Sequence, residues 1–174
     1  GTIITEVVHG KSLEDTVTKE NPDREVSIYL PPSYNSAPNK RYPVLFMLHG
    51  IADTDKSWTS QWSTQDDDTL IPFSTIQEMM NEGISSGRIG EMIVVIPNQK
   101  TNWFGSFYVN SSVTGNWEDF TVKELVSFID KKYRTISKAE NRGIVGHSMG
   151  GYGALTLAMK HPDTFSVAYG LNPA

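Results

Sequence analysis

Apolar residues come in short runs separated by polar stretches, and the runs are of two kinds. Pro43-Val44-Leu45-Phe46-Met47-Leu48 and Glu91-Met92-Ile93-Val94-Val95-Ile96-Pro97 are apolar at consecutive positions, as in strands covered on both faces of a parallel sheet. Arg142-Gly143-Ile144-Val145 and residues 165–171 are further apolar runs that suit strands. Residues 2–8, rich in β-branched side chains, suit a first strand that turns around Gly10, and residues 11–22 read as a loop or exposed ribbon. Residues 24–30 alternate polar and apolar, which predicts a half-exposed strand near a sheet edge. The second kind of run has helical spacing. Val122, Leu125, Val126, Ile129 and Tyr133 share one face of a helix over 117–134, with Glu118 and Asp119 in its first turn and Lys131, Lys132 and Arg134 in its last. Ser74-Thr75-Ile76-Gln77 fits a capping box that opens a helix through Met80 and closes it at Gly83. Residues 151–160 read as a helix stopped by His161-Pro162. The stretches 51–70 and 98–116 read as long surface loops.

Strands alternating with helices predict an α/β domain with a mainly parallel sheet flanked by helices and joined by right-handed crossovers. Residues 1–174 fit one domain by length, and there is no internal repeat or low-complexity linker. A formal charge of −5 without a basic cluster argues against nucleic acid as the partner, and no apolar run approaches membrane-spanning length. With no cysteine, disulfides, thiolate metal sites and a cysteine nucleophile are excluded, while the compartment stays open.

The candidate chemistry lies at Gly146-His147-Ser148-Met149-Gly150, a G-x-S-x-G run between an expected strand and an expected helix. That context defines a nucleophile elbow: the serine takes a strained backbone at the tip of the turn, and the flanking glycines leave room for it. An ester carbonyl attacked by Ser148 becomes an oxyanion, which needs two N–H groups already aimed at it. Met149, at the helix start, is one expected donor. Ile51, after His49-Gly50 at the end of the central strand, is the other. Ligand sites in such sheets lie beyond the carboxyl ends of the strands, so the His49-Gly50-Ile51 turn, the loop carrying Trp103, and Ser148 are expected to converge on one crevice.

These residues resemble the esterase-D-type branch of the α/β-hydrolases, which includes S-formylglutathione hydrolases, mycolyltransferases, and feruloyl and acetyl-xylan esterases. The resemblance rests on Tyr29-Leu30-Pro31-Pro32-Ser33-Tyr34, on residues 42–51, on Gly115-Asn116-Trp117-Glu118-Asp119-Phe120, on Tyr133-Arg134-Thr135, and on residues 142–154. It implies the α/β-hydrolase fold, Ser148 as nucleophile, the amides of Ile51 and Met149 as oxyanion donors, and no cofactor. His-Gly-Ile with Trp58 seven residues on is most similar to the cell-wall esterases. The implied substrate is a small-molecule or polysaccharide-linked ester, feruloyl or acetyl, with a thioester of the S-formylglutathione type as the alternative. A secreted location is favoured over a cytoplasmic one.

The family pattern continues past its elbow helix with further strands, a catalytic acid and then a histidine. Here His161 and Asp163 follow Ser148 in the wrong order and match a helix-ending segment, and none of His9, His49 or His147 is a credible base. The chain is therefore expected to represent the N-terminal two-thirds of such an esterase. The missing strands and triad partners are expected on a companion chain or to have been removed, and in the latter case the polypeptide alone is a non-catalytic fragment. Trp58, Trp103, Phe104 and Tyr108 either wall an aromatic acyl pocket or pack on the core, and His147 is a further candidate substrate contact. Asp66-Asp67-Asp68 reads as a solvated acidic loop rather than a calcium site, and no metal is expected. Asn110-Ser111-Ser112 is a glycosylation sequon whose use depends on secretion from a eukaryote.

Overall fold

A computed structural model describes residues 1–60 and 74–174. The Asp66-Asp67-Asp68 run and the rest of the 61–73 stretch lie outside the described residues. Six strands form one sheet: β1 (Thr2–His9), β2 (Asp23–Leu30), β3 (Val44–Leu48), β4 (Ile93–Pro97), and, after a two-stranded hairpin of β5 (Asn110–Ser111) and β6 (Gly115–Asn116), β7 (Arg142–His147) and β8 (Val167–Leu171). Their order across the sheet is β1-β2-β4-β3-β7-β8. β4, β3, β7 and β8 run parallel, while β2 is antiparallel to both β1 and β4.

The consecutive apolar positions of β3 and β4 serve two cores. Val44, Phe46 and Leu48 of β3, with Ile93 and Val95 of β4, face a core shared with Trp117, Phe120, Leu125, Ile129 and Leu157. On the other face Val94 and Ile96 pack with Tyr29, Ile76 and Met80, joined by Leu45 and Met47. Such two-sided cover is what makes a continuous apolar strand stable in water. The helices are α1 (Ile76–Ser85), α2 (Trp117–Asp119), α3 (Val126–Lys132) and α4 (Met149–Lys160), with a π-helical stretch at Phe120–Leu125 joining α2 to α3. This is the mainly parallel, helix-flanked sheet that the alternation of strands and helices predicts.

Several expectations need correction. Residues 24–30 are not half-exposed: β2 lies inside the sheet and is buried from Val26 to Leu30. Its polar positions misled the pattern because their groups are bonded internally, Ser27 Oγ to Asp55 Oδ2 at 2.7 Å and Tyr29 OH to Asn81 Oδ1 at 2.8 Å. Helix α1 starts one residue later than the Ser74–Gln77 box implies, with Thr75 as the cap and Thr75 and Glu78 exchanging both capping-box bonds, and it runs through Gly83 to Ser85. Gly83 is there for packing: a β-carbon on it would come within 2.7 Å of the Ile89 side chain. The helix expected over 117–134 ends at Lys132 and widens into its π-helical stretch where Thr121 Oγ1 donates to Trp117 O at 2.7 Å, competing with the backbone ladder. The 11–22 ribbon contains a short 3-10 turn, Lys11–Leu13, whose Leu13 is fully buried, and the 98–116 loop contains the β5–β6 hairpin.

Candidate active site

Strand β7 delivers the chain to Ser148, and α4 begins at the next residue. Ser148 has φ 53° and ψ −122°, a conformation a side chain rarely adopts. Two contacts show why glycine stands on each side. A β-carbon on Gly146 would come 2.2 Å from Gly150 O, and one on Gly150 would come 2.2 Å from Leu48 O and 2.7 Å from His49 O. Elbow and strand β3 therefore touch backbone to backbone. From below, Ser148 N–H donates to Leu171 O at 2.9 Å, and Ser148 O accepts from the N–H groups of Tyr152 (3.1 Å) and Ala174 (3.2 Å).

The loop after β3 comes against the elbow at Gly50, where a β-carbon would stand 3.5 Å from Ser148 Cβ, 3.5 Å from His147 Nδ1 and 3.1 Å from Asp53 Oδ2. His49 governs this loop. It is fully buried, with Nδ1 2.8 Å from Gly50 O and Nε2 2.8 Å from the donating Gln99 N–H. These partners assign a neutral ring protonated at Nδ1, and burial pulls its pKa down in the same sense. Because a trans peptide points its C=O and N–H in opposite directions, the bond that draws Gly50 O toward the ring aims the Ile51 N–H the other way. That N–H and the Met149 N–H at the start of α4 have no hydrogen-bond acceptor among the described residues.

A third loop closes against both donors. Ala52 N–H donates to Phe104 O at 2.9 Å, and a β-carbon on Gly105 would meet Met149 Sδ at 2.4 Å and Ile51 Cγ1 at 3.3 Å. Phe104, Phe107 and Tyr108 all have positive φ, so three side chains that resist this conformation are held in it within one short loop. Tyr108 is fully buried, its hydroxyl donates to His49 O at 2.8 Å, and burial pushes its pKa well up. It supports the loop from inside and walls no pocket. Gln99 ties the arrangement to the helical layer through Nε2, which donates to Thr121 Oγ1 at 2.7 Å.

The remaining sequence candidates are dispersed. Trp103 and Phe104 stand in solvent, 70% and 60% exposed, whereas Trp58 packs against the Tyr29–Ile76–Met80 core with its indole N–H buried and without a hydrogen-bond partner among the described residues. These aromatics do not form one wall. His147, half-buried at the end of β7, adjoins Gly50. His9 bonds Asp23 and Glu14, and His161 bonds Glu118 Oε1 at 2.8 Å. No imidazole or carboxylate is hydrogen-bonded to Ser148 Oγ among the described residues, nor do three or more His, Asp or Glu side chains gather as a metal site would require. Sequence reasoning missed Gln99, whose only local signal was its place just past a buried strand; for Tyr108 it left pocket wall and core packing open, and Tyr108 lies in the core. Chemically, the arrangement offers a strained serine hydroxyl beside two unspent N–H donors at a helix N-terminus, a combination suited to an oxyanion.

The profile of the family described as "Putative esterase" matches residues 18–173. Among curated proteins, the chain is 28% identical over 165 residues to an endo-1,4-beta-xylanase/feruloyl esterase of Xylanibacter ruminicola, covering 92% of this chain and 21% of that protein. It is 28% identical over 152 residues to an S-formylglutathione hydrolase of Arabidopsis thaliana, covering 80% of this chain and 48% of that protein. Among solved structures, a ferulic acid esterase superposes with a TM-score of 0.79 at 27% identity, covering 99% of this chain and 57% of that one. The chain thus spans between about a fifth and a half of the length of these two curated relatives.

Proposed function

This chain belongs to the Esterase family, and on that premise we propose that it carries the nucleophile and oxyanion hole of a serine carboxylesterase acting on feruloyl or acetyl esters of plant cell-wall polysaccharide. The observation that carries the reading is the pairing of Ser148, strained at the head of α4, with the two uncommitted N–H groups of Ile51 and Met149. Ser148 Oγ attacks the ester carbonyl, and the carbonyl oxygen gathers negative charge between these donors. Collapse expels the sugar alkoxide and leaves an acyl-enzyme, which water then hydrolyses. Both half-reactions pass through the same oxyanion, so donors fixed in advance assist twice.

The proton from Ser148 needs an acceptor. His9, His49 and His161 are committed to other partners, and His147 makes no hydrogen bond to Ser148. In this proposal the base is a histidine outside these four, supplied with its acid by a companion chain or by the remainder of a longer esterase, since this chain covers only part of the length of its relatives. The names of the Xylanibacter relative and of the ferulic acid esterase support the feruloyl substrate; that of the Arabidopsis relative supports the thioester alternative.

The test compares hydrolysis of methyl ferulate, p-nitrophenyl acetate and S-formylglutathione by the full-length protein and its Ser148→Ala variant. The substitution is expected to remove at least about 10⁴-fold of the activity, with a fluorophosphonate adduct found on Ser148 of the wild type alone. A Ser148→Ala protein retaining a tenth of the wild-type rate refutes the assignment. Preference for S-formylglutathione moves it to the thioester reading.

A further inference from the structure

We propose that the open cleft between the 20–24 segment and the 98–102 loop is a subsite for the carbohydrate portion of the ester. The inference rests on the esterase reading and adds where the sugar is held. The cleft has a volume of about 230 Å³ and polar walls that include Glu20, Asn21, Arg24, Asn98, Lys100 and Asn102. At ~30 Å³ per water molecule this is room for about seven or eight waters, the scale of a single sugar ring.

The walls are fixed before any ligand arrives. Arg24 is buried and donates from Nε to Asn98 O (2.9 Å), from Nη1 to Asn21 O (3.2 Å), and from Nη2 to Lys100 O (2.7 Å) and Asn98 Oδ1 (3.2 Å). Its guanidinium also lies over the Trp117 ring, 5.1 Å from the centroid. The buried carboxylate of Glu20 accepts the Asn102 N–H. A cleft built this way spends little ordering entropy on binding.

Its unspent groups define the ligand. The side-chain amides of Asn21 and Asn98 donate to nothing among the described residues, and Lys100 Nζ makes no ion pair there. These donors suit hydroxyl and ring oxygens. One free ammonium, in a chain of net charge −5, does not suit a polyanion, and polar walls do not suit an acyl group. Beside the donors lies an aromatic face: Lys100 Nζ is 6.0 Å from the Phe104 ring centroid, and Phe104 and its neighbour Trp103 are exposed. An exposed aromatic next to amide and ammonium donors suits a pyranose, whose C–H face is apolar and whose rim is polar. The loop also connects the cleft to the reaction centre, since Gln99 N–H donates to His49 Nε2 and Phe104 O accepts from Ala52 N–H, two residues from Gly50.

The experiment is a titration of the ¹⁵N-labelled chain with an arabinoxylo-oligosaccharide, reading the Asn21 and Asn98 side-chain amides and the backbone of Lys100 and Phe104. Saturable shifts at these groups, with affinity weakened at least about fivefold by Lys100→Ala and by Phe104→Ala, are expected. Because Phe104 is exposed and Lys100 partly exposed, with no ion pair on its ammonium among the described residues, the variants fold, and Phe107→Ala on the same loop binds as wild type. Absence of shifts, shifts confined to other surfaces, or unchanged affinity in both variants overturns the subsite. Failure of the esterase reading shows up separately: oligosaccharide binding by a protein whose Ser148 never labels or turns over supports the subsite while refuting the catalysis.

Discussion

Gly150→Ala tests the packing that defines the elbow. The added methyl carbon would lie 2.2 Å from Leu48 O, 2.6 Å from Leu48 C and 2.7 Å from His49 O, all backbone atoms. Carbon and oxygen tolerate about 3.2 Å in close contact, so α4 and the end of β3 must part by roughly 1 Å. Neither side can yield cheaply. Leu48 pairs with Gly146 in the β3–β7 register, and His49 O holds the Tyr108 hydroxyl. Overpacking that side chains can absorb costs about 1–3 kcal/mol, and a backbone clash belongs at or above the top of that range. Alanine returns about 1 kcal/mol through helix propensity, which leaves a net loss of about 2–3 kcal/mol. Urea denaturation with matched m-values measures it. Gly90→Ala is the control, because a β-carbon there meets nothing within 4 Å; the expectation is no loss and up to ~1 kcal/mol of gain. A Gly150→Ala protein within 1 kcal/mol of wild type would refute the claim that direct backbone contact sets the elbow.

Tyr108→Phe removes the hydroxyl that His49 O accepts and should cost about 1–2 kcal/mol in the same assay. Burial pushes the Glu91 carboxyl up, but bonds from Lys40 Nζ, Ser33 Oγ and the Ser33 N–H outweigh it and bring the pKa down to about 2. Its contribution is present above the ordinary value of 4.5 and is lost as pH falls toward 2. Glu91→Gln should therefore destabilise by about 1–2 kcal/mol at pH 7 and by nearly nothing near pH 2, read from denaturation curves at both pH values. Imidazole NMR should find His9, bonded to Glu14 and Asp23, titrating above 6.5, and His49 protonated at Nδ1 and titrating below 6.5. The His49 contribution is then present above pH 6.5 and lost on acidification, whereas that of His9 is present below pH 6.5 and lost as pH rises through its folded-state pKa.

Local chemistry made much of the fold legible. The strand-to-helix turn at Ser148, the capping box at Thr75 and the two-sided apolar runs of β3 and β4 carry their instructions within a few consecutive residues. Where the reading erred, a distant group had changed a residue's meaning. Ser27 reads as exposed until Asp55, far along the chain, supplies its hydrogen bond; Gly83 reads as a helix end until Ile89 needs its space.

The sequence by itself determined the alternation of strands and helices, the position of Ser148 and the loop that brings Ile51, because propensity, hydrophobic period and turn chemistry act over short spans. Tertiary structure alone decided which groups hold that loop in place. His49 faces Gln99 and Tyr108, Trp58 turns into the core while Trp103 stands in solvent, and His161 is drawn to Glu118. These outcomes depend on burial and on partners many residues apart, and no local pattern encodes which two distant groups will meet when the sheet forms.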